Sequence, residues 1–246
     1  MKYILSVMLL AFTTLNSNMV RADLLYVLYG DFNPPPFFFK DENKKVGAGI
    51  LNDIPTMAAT RIGSKVLFIQ SSRQRMGQYI SSGRADVVCH THPDWLPNTS
   101  SLKFVKTYQS GDVYVVPRVT KLNFKRPHTL KDARVGTIQD FHYNQEFQLA
   151  QKSGAVFVPA PIYETNWVKL LSGALDGMII TDILALHQMG NKHFADKFQI
   201  VTPDIAKPWR YCAINTNHPD VDDFISAIDD MRENKEIEKI ISKYIQ

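Results

Sequence analysis

The pattern S-G-x-x-D occurs once in each half of this chain. It appears as Ser82-Gly83-Arg84-Ala85-Asp86 and, 90 residues later, as Ser172-Gly173-Ala174-Leu175-Asp176. Each copy follows a helix-like stretch and precedes a short apolar run, Val87-Val88-Cys89 in the first and Gly177-Met178-Ile179-Ile180 in the second. Glycine tolerates the left-handed conformation that closes a helix. An apolar run of this length reads as a buried strand of a parallel sheet. One such unit is common in α/β proteins. Two of them predict two similar lobes, and the boundary between lobes is a usual place for a small ligand.

Residues 1–22 read as a secretory leader. Met1-Lys2 supplies a short positive end, Tyr3 to Leu15 is mostly apolar, and Val20-Arg21-Ala22 presents modest side chains to a signal peptidase, so cleavage is expected after Ala22. The apolar run falls short of the roughly 20 residues that span a bilayer, and no cysteine stands near the cut to carry a lipid. An exported, soluble, periplasmic protein is expected. The leader holds Lys2 and Arg21 and no acid, so its removal lowers the formal charge from +4 to +2. That balance argues against a nucleic-acid partner. The remaining 224 residues, with ordinary apolar content, suffice for one large domain or two small lobes.

Alternating β and α signals run through the rest. Leu24 to Tyr29 is strand-like, and Asn33-Pro34-Pro35-Pro36 is a loop. Phe37 to Gly47 reads as a hairpin with a charged tip. Residues 52–62 suit a helix, with Pro55 in its first turn, and Val66 to Ile69 is the next strand. Arg75 to Ile80 is a helix leading to the first S-G-x-x-D. Asp112 to Val116 is extended, and Thr129-Leu130-Lys131-Asp132 resembles a capping box. Strands over Arg134–Thr137, Val156–Val158, Met178–Thr181 and Gln199–Val201 complete a second α/β set. Ile237, Ile240, Ile241 and Tyr244 share one face of a terminal helix. Cys89 and Cys212 each sit in a strand-like run. If those strands are neighbours a disulfide is possible in an oxidising compartment; otherwise both are buried thiols.

Pro35-Pro36-Phe37-Phe38-Phe39-Lys40-Asp41-Glu42-Asn43 with Gly47, the Gly-x-x-Asp at 83–86, Arg134-Val135-Gly136-Thr137, Thr181-Asp182 and the terminal helix follow one another in an order that resembles family 3 extracellular solute-binding proteins. These serve polar amino-acid ABC importers and their relatives, and the resemblance covers nearly all of residues 23–246. It implies an α/β, two-lobed periplasmic-binding-protein type II fold, each lobe a mostly parallel sheet flanked by helices and joined by two hinge strands. The hinges would lie near Gly111–Val116 and Pro208–Ile214. The first lobe would comprise residues 23–111 and 214–246, and the second 112–213.

Ligands of open α/β sheets sit beyond the carboxyl ends of strands, which selects the candidates for ligand binding. Phe32, or Phe37, would stack on the ligand. Arg75 matches an arginine at this spacing in part of the family and would hold a carboxylate through paired hydrogen bonds. Where many members have T-P-x-R, this chain reads His90-Thr91-His92-Pro93-Asp94-Trp95, with no arginine. Trp95 would stack on a flat or cationic group, with His90 beside it and Tyr108 near the lobe crossing. Asp140 and Tyr143 follow the first strand of the second lobe. Asp182 matches a family aspartate that binds the ligand amino group; its structural alternative is a helix N-cap.

A zinc site would need His90-x-His92 with Cys89, His142 or Asp140, and no third ligand has a telling spacing. No cofactor and no metal are expected. No G-x-S-x-G, P-loop or H-E-x-x-H occurs. The expectation is a monomeric, non-catalytic binding protein that captures an amino acid or related amine or zwitterion. Its partner would be an importer permease. The alternatives are a sensing module docking on a membrane receptor, and a periplasmic enzyme of the same fold such as a dehydratase, with His142 or Asp140 as acid or base.

Overall fold

The computed structural model describes residues 24–245 apart from Asp31, Lys44 and His142. The leader assigned to residues 1–22, and the candidate His142, lie outside the described residues. In chain order the elements are β1 (Leu24–Gly30), β2 (Phe39–Lys40), β3 (Val46–Ala48), α1 (Ile50–Arg61), β4 (Lys65–Ser71), α2 (Arg73–Ser81), β5 (Val87–Thr91), β6 (Leu102–Gln109) and β7 (Asp112–Pro117). They continue with β8 (Arg134–Ile138), α3 (Gln145–Lys152), β9 (Val156–Ala160), α4 (Tyr163–Leu171), β10 (Gly177–Thr181), α5 (Asp182–Met189), α6 (Lys192–Ala195), β11 (Phe198–Val201), β12 (Trp209–Asn215), α7 (Val221–Glu233) and α8 (Glu236–Tyr244).

Two five-stranded sheets result, ordered β4-β1-β5-β12-β6 and β11-β7-β10-β8-β9. Read from opposite ends they follow one plan. Three parallel strands, β4-β1-β5 or β9-β8-β10, are followed by an antiparallel strand that enters from the other lobe. That strand is β12 in the first sheet and β7 in the second. The chain crosses out between β6 and β7, at Ser110–Gly111, and returns just before β12. The second crossing therefore lies before Trp209 and not at 213/214 as the sequence suggested. Residues 209–213 pair with β5 and β6 and belong to the first sheet. Their apolar character suits a central strand of either sheet, so composition alone did not assign them.

The two S-G-x-x-D segments make the same contacts in the two sheets. Gly83 and Gly173 both take φ +74, the left-handed region where a Cβ is disfavoured. The amide after each glycine turns back onto the preceding helix, Arg84 N–H to Tyr79 O and Ala174 N–H to Lys169 O. Each aspartate then accepts a strand amide at 2.8 Å, Tyr26 N–H on Asp86 Oδ2 and Arg134 N–H on Asp176 Oδ2. Their own amides return the bond to Tyr26 O and Arg134 O. The motif thus docks each helix–strand unit onto the first strand of its sheet.

Two local expectations are corrected. Helix α1 begins at Ile50, two residues early, so Pro55 lies inside it, buried, beyond the first turn. Thr129 ends a single 3-10 turn and its hydroxyl donates to Arg126 O, while Asp132 takes φ 63, so no capping box forms. Strand β6 and helix α7 were not read from the sequence. α7 packs on β6 and α1, burying Phe224, Ile228 and Met231.

One apolar cluster extends through both lobes, and separate clusters fill the outer face of each. Cys89 on β5 and Cys212 on β12 face one another in register and form a disulfide across 123 residues. It ties the outgoing part of the first lobe to the returning strand. A cross-link over so long a loop restricts the unfolded chain strongly. Replacing both cysteines by alanine should cost about 2–5 kcal/mol in urea unfolding; a loss below 0.5 kcal/mol, on the order of a neutral surface change, would contradict this role.

Candidate functional site

A cavity of about 310 Å³ lies between the two sheets. Phe32, Arg73, His90 and Trp95 reach it from the first lobe, and Asp140, Phe141, Tyr163 and Thr181 from the second. Asp112 and Arg210, from the two crossing strands, also line it. Its size falls at the lower end for small-molecule sites.

Arg210 is 4% exposed and sits where β12 shifts register against β6, between Trp209 and Tyr211. Such a bulge turns a side chain away from the regular alternation. The guanidinium lies 4.8 Å from the Trp95 ring centroid. Its Nε has no hydrogen-bond partner among the described residues. A buried guanidinium nitrogen without a partner is costly and points to an anion that arrives from outside. Asp112 starts the other crossing strand. Burial raises its pKa from 3.8 to about 6, Arg210 opposes that rise and Asp182 adds to it. Thr181, paired with Asp112 across β10 and β7, also has a buried hydroxyl without a partner among the described residues. Asp112, Thr181 and Arg210 thus gather anionic, neutral and cationic groups at the hinge end of the cavity.

His90 bulges out of β5, skipped in its pairing with β12, and takes φ 59. That left-handed conformation is strained for a residue with a Cβ, and such strain concentrates at functional sites. Its Nδ1 meets Tyr108 Oη at 2.8 Å and its ring lies 4.4 Å from Phe37. Burial first, then Arg210 and Arg73, push its pKa well below 6.5, so the ring is neutral at pH 7. Farther out, the Arg73 guanidinium lies 4.1 Å from the Phe32 ring and 4.4 Å from that of Phe141, bridging the lobes. Phe32 reaches this position by folding over Gly30, where a Cβ would come within 2.1 Å of its ring.

Residues 28–246 match the family of bacterial extracellular solute-binding proteins, family 3. The chain is a family 3 solute-binding protein. No curated protein sequence matches it. Among solved structures, an ancestral arginine-binding protein bound to arginine superposes with a TM-score of 0.72 at 21% identity, over 91% of this chain and 98% of that one. The GluR0 ligand-binding core with L-glutamate gives 0.72 at 13% identity, over 91% and 98%. The ancestral amino-acid-binding protein AncCDT-1, a precursor of cyclohexadienyl dehydratase, gives 0.69 at 20%, over 91% and 95%. At these identities the likeness is one of fold, two α/β lobes of periplasmic-binding-protein type II.

In this solute-binding protein, Phe32, His90, Trp95 and Asp140 line the cavity and Arg75, Tyr108, Tyr143 and Asp182 do not. Arg75 is exposed, with its Nε on Ser72 Oγ at 3.2 Å. Two residues apart on a helix point about 200° apart, so Arg73, at the start of α2, faces the cavity instead. Tyr108 stands behind His90, and burial raises its pKa. Tyr143 packs against Phe141 and its hydroxyl accepts the Ile138 amide at 2.7 Å. Asp182 is 6% exposed and fully engaged. Its Oδ1 accepts from Ser110 Oγ at 2.7 Å and its own helix's Ile183 amide at 2.8 Å, and its Oδ2 meets Lys207 Nζ at 2.7 Å. Lys207 thereby supplies, from within the chain, the cation that the family resemblance assigned to a ligand. The Asp182 carboxylate joins both crossings to the second lobe. His92 pairs with Asp94, Cys89 is in the disulfide, and no group of three or more metal-ligating side chains occurs among the described residues.

Arg73, Asp112, Phe141, Tyr163, Thr181 and Arg210 were not selected from the sequence. The available signal was a charge at the head of each apolar crossing run, Asp112 before Val113-Tyr114-Val115-Val116 and Arg210 before Tyr211-Cys212-Ala213-Ile214.

Two expectations follow from these placements. The folded state holds the Asp112 proton more tightly than the unfolded chain does, because its pKa is raised. Its contribution to stability is therefore full below about pH 3.8 and is lost as pH rises through about 6. Asp112→Asn should gain on wild type across that window in urea unfolding at stepped pH; a wild type that gains on the variant instead would contradict the burial argument. Asp182→Ala should cost about 1–3 kcal/mol through the hydrogen-bonding groups it leaves buried, and an unchanged unfolding midpoint would remove Asp182 from the hinge.

Proposed function

We propose that this protein binds an amino acid or related zwitterion between its lobes and, without altering it, delivers it in the closed form to an ABC importer in the inner membrane. In this reading the leader at residues 1–22 directs the chain to the periplasm. The observation that carries the proposal is the pair of opposite charges at the hinge end of the cavity. Arg210 would take the carboxylate and Asp112 the ammonium group. A closed two-lobed cleft suits capture, because hinge motion encloses the ligand and gives a membrane partner a form to recognise.

The ancestral arginine-binding protein and the GluR0 core with glutamate support an amino-acid ligand by analogy of fold. AncCDT-1, described as a dehydratase precursor, shows that the same fold lies close to catalysis. The reading as a binding protein rests on the family itself.

Titration calorimetry against the common amino acids tests this. A buried charge pair that loses one partner costs about 2–5 kcal/mol. Arg210→Gln should therefore weaken the best ligand by about 30-fold or more, with the ligand recovered unchanged from the wild-type complex. Undiminished affinity in Arg210→Gln would rule out the carboxylate role, and consumption of the ligand would make the protein an enzyme.

A further inference from the structure

Most of the remaining cavity lining is apolar, with Leu28, Phe37, Phe38, Met76, Leu96 and Pro97 outweighing the uncharged polar Asn33, Gln74 and Thr91. His90 is neutral and has given its Nδ1 to Tyr108. The place where a cationic side chain would find two aromatic faces is the gap between Phe32 and Phe141, and the chain's own Arg73 guanidinium already fills it. A second cation brought there would displace Arg73 or lie against it, with like charges close together in a partly dry site. A polar, uncharged side chain would give up water for a lining that is mostly apolar. An apolar one would gain by burial against that lining.

We infer that the ligand is an amino acid with a large, uncharged, apolar side chain of aromatic size, and that Arg73 sets this preference by occupying the cation slot between Phe32 and Phe141. The inference rests on the reading of Arg210 and Asp112 as the head-group site and adds the side-chain class. Discrimination of this kind comes as much from what the site repels as from what it attracts. Arg73 belongs to both lobes' contact, so it fills the slot in the closed form, where selectivity is decided.

Calorimetry with L-phenylalanine, L-glutamine and L-arginine on the wild-type protein and on Arg73→Met tests the inference. The wild type should bind L-phenylalanine at least tenfold more tightly than either of the others. Arg73→Met should shift the phenylalanine-to-arginine ratio at least tenfold towards arginine, because the aromatic gap becomes vacant. A wild type that binds L-glutamine or L-arginine as tightly as L-phenylalanine overturns the inference while leaving amino-acid binding in place. An unchanged ratio in Arg73→Met overturns the role of Arg73. Absence of binding by all three, with only a small, polar or charged amino acid bound in the wider screen, rejects the side-chain class alone; absence of any amino-acid ligand rejects the proposed function with it.

Discussion

Strand β12 has to return to the interior of a sheet that the chain left about a hundred residues earlier, and most of the molecule is arranged around that return. It fills the place between β5 and β6, so the first sheet is discontinuous without it. It carries Cys212 into register with Cys89. Its register shift aims Arg210 into the cavity. Strand β7 occupies the equivalent place in the second sheet and opens with Asp112. The two crossings that join the lobes therefore also deliver two opposite charges to the cavity lining. Connectivity and chemistry are set by the same pair of strands.

The hinge has a set of polar contacts of its own beside those of the cavity. Asp182, Ser110 and Lys207 form a closed set in which each polar partner is supplied by the chain. Arg210 and Thr181 are the reverse, with buried polar atoms left without partners among the described residues. A satisfied buried carboxylate holds structure, whereas unsatisfied groups lining a cavity are arranged for something that arrives later. That contrast separates Asp182, which the sequence put forward as a ligand-binding residue, from Asp112, which it did not. The raised pKa of Asp112 reflects the same burial.

The duplicated S-G-x-x-D was a dependable guide because its chemistry is local. Glycine's left-handed turn and the aspartate's bond to a neighbouring strand amide need only a helix, a turn and a strand in sequence. The alternation of strands and helices and the two-lobed architecture were legible for the same reason. Cavity-lining residues were legible only where position after a strand was enough, as for Phe32, His90, Trp95 and Asp140. Arg75 does not line the cavity because helix phase turns it outward and puts Arg73 in its stead. Asp182 does not line it either, and its ion-pair partner Lys207 lies on the second crossing, which nothing near residue 182 in the sequence announces. Arg210 was hidden because a bulge, not the strand's alternation, decides where it points.

The topology also sets an order of assembly. The second sheet is built entirely from residues 112–201, one uninterrupted stretch. The first cannot place its central antiparallel strand until residue 215 is available. A chain that emerges amino-terminus first, across a membrane or from a ribosome, completes the later lobe before the earlier one. In the interval β5 and β6 present open edges, and unpaired strand edges invite association with other chains. The half of the protein that is made first is thus the half most in need of a chaperone's protection.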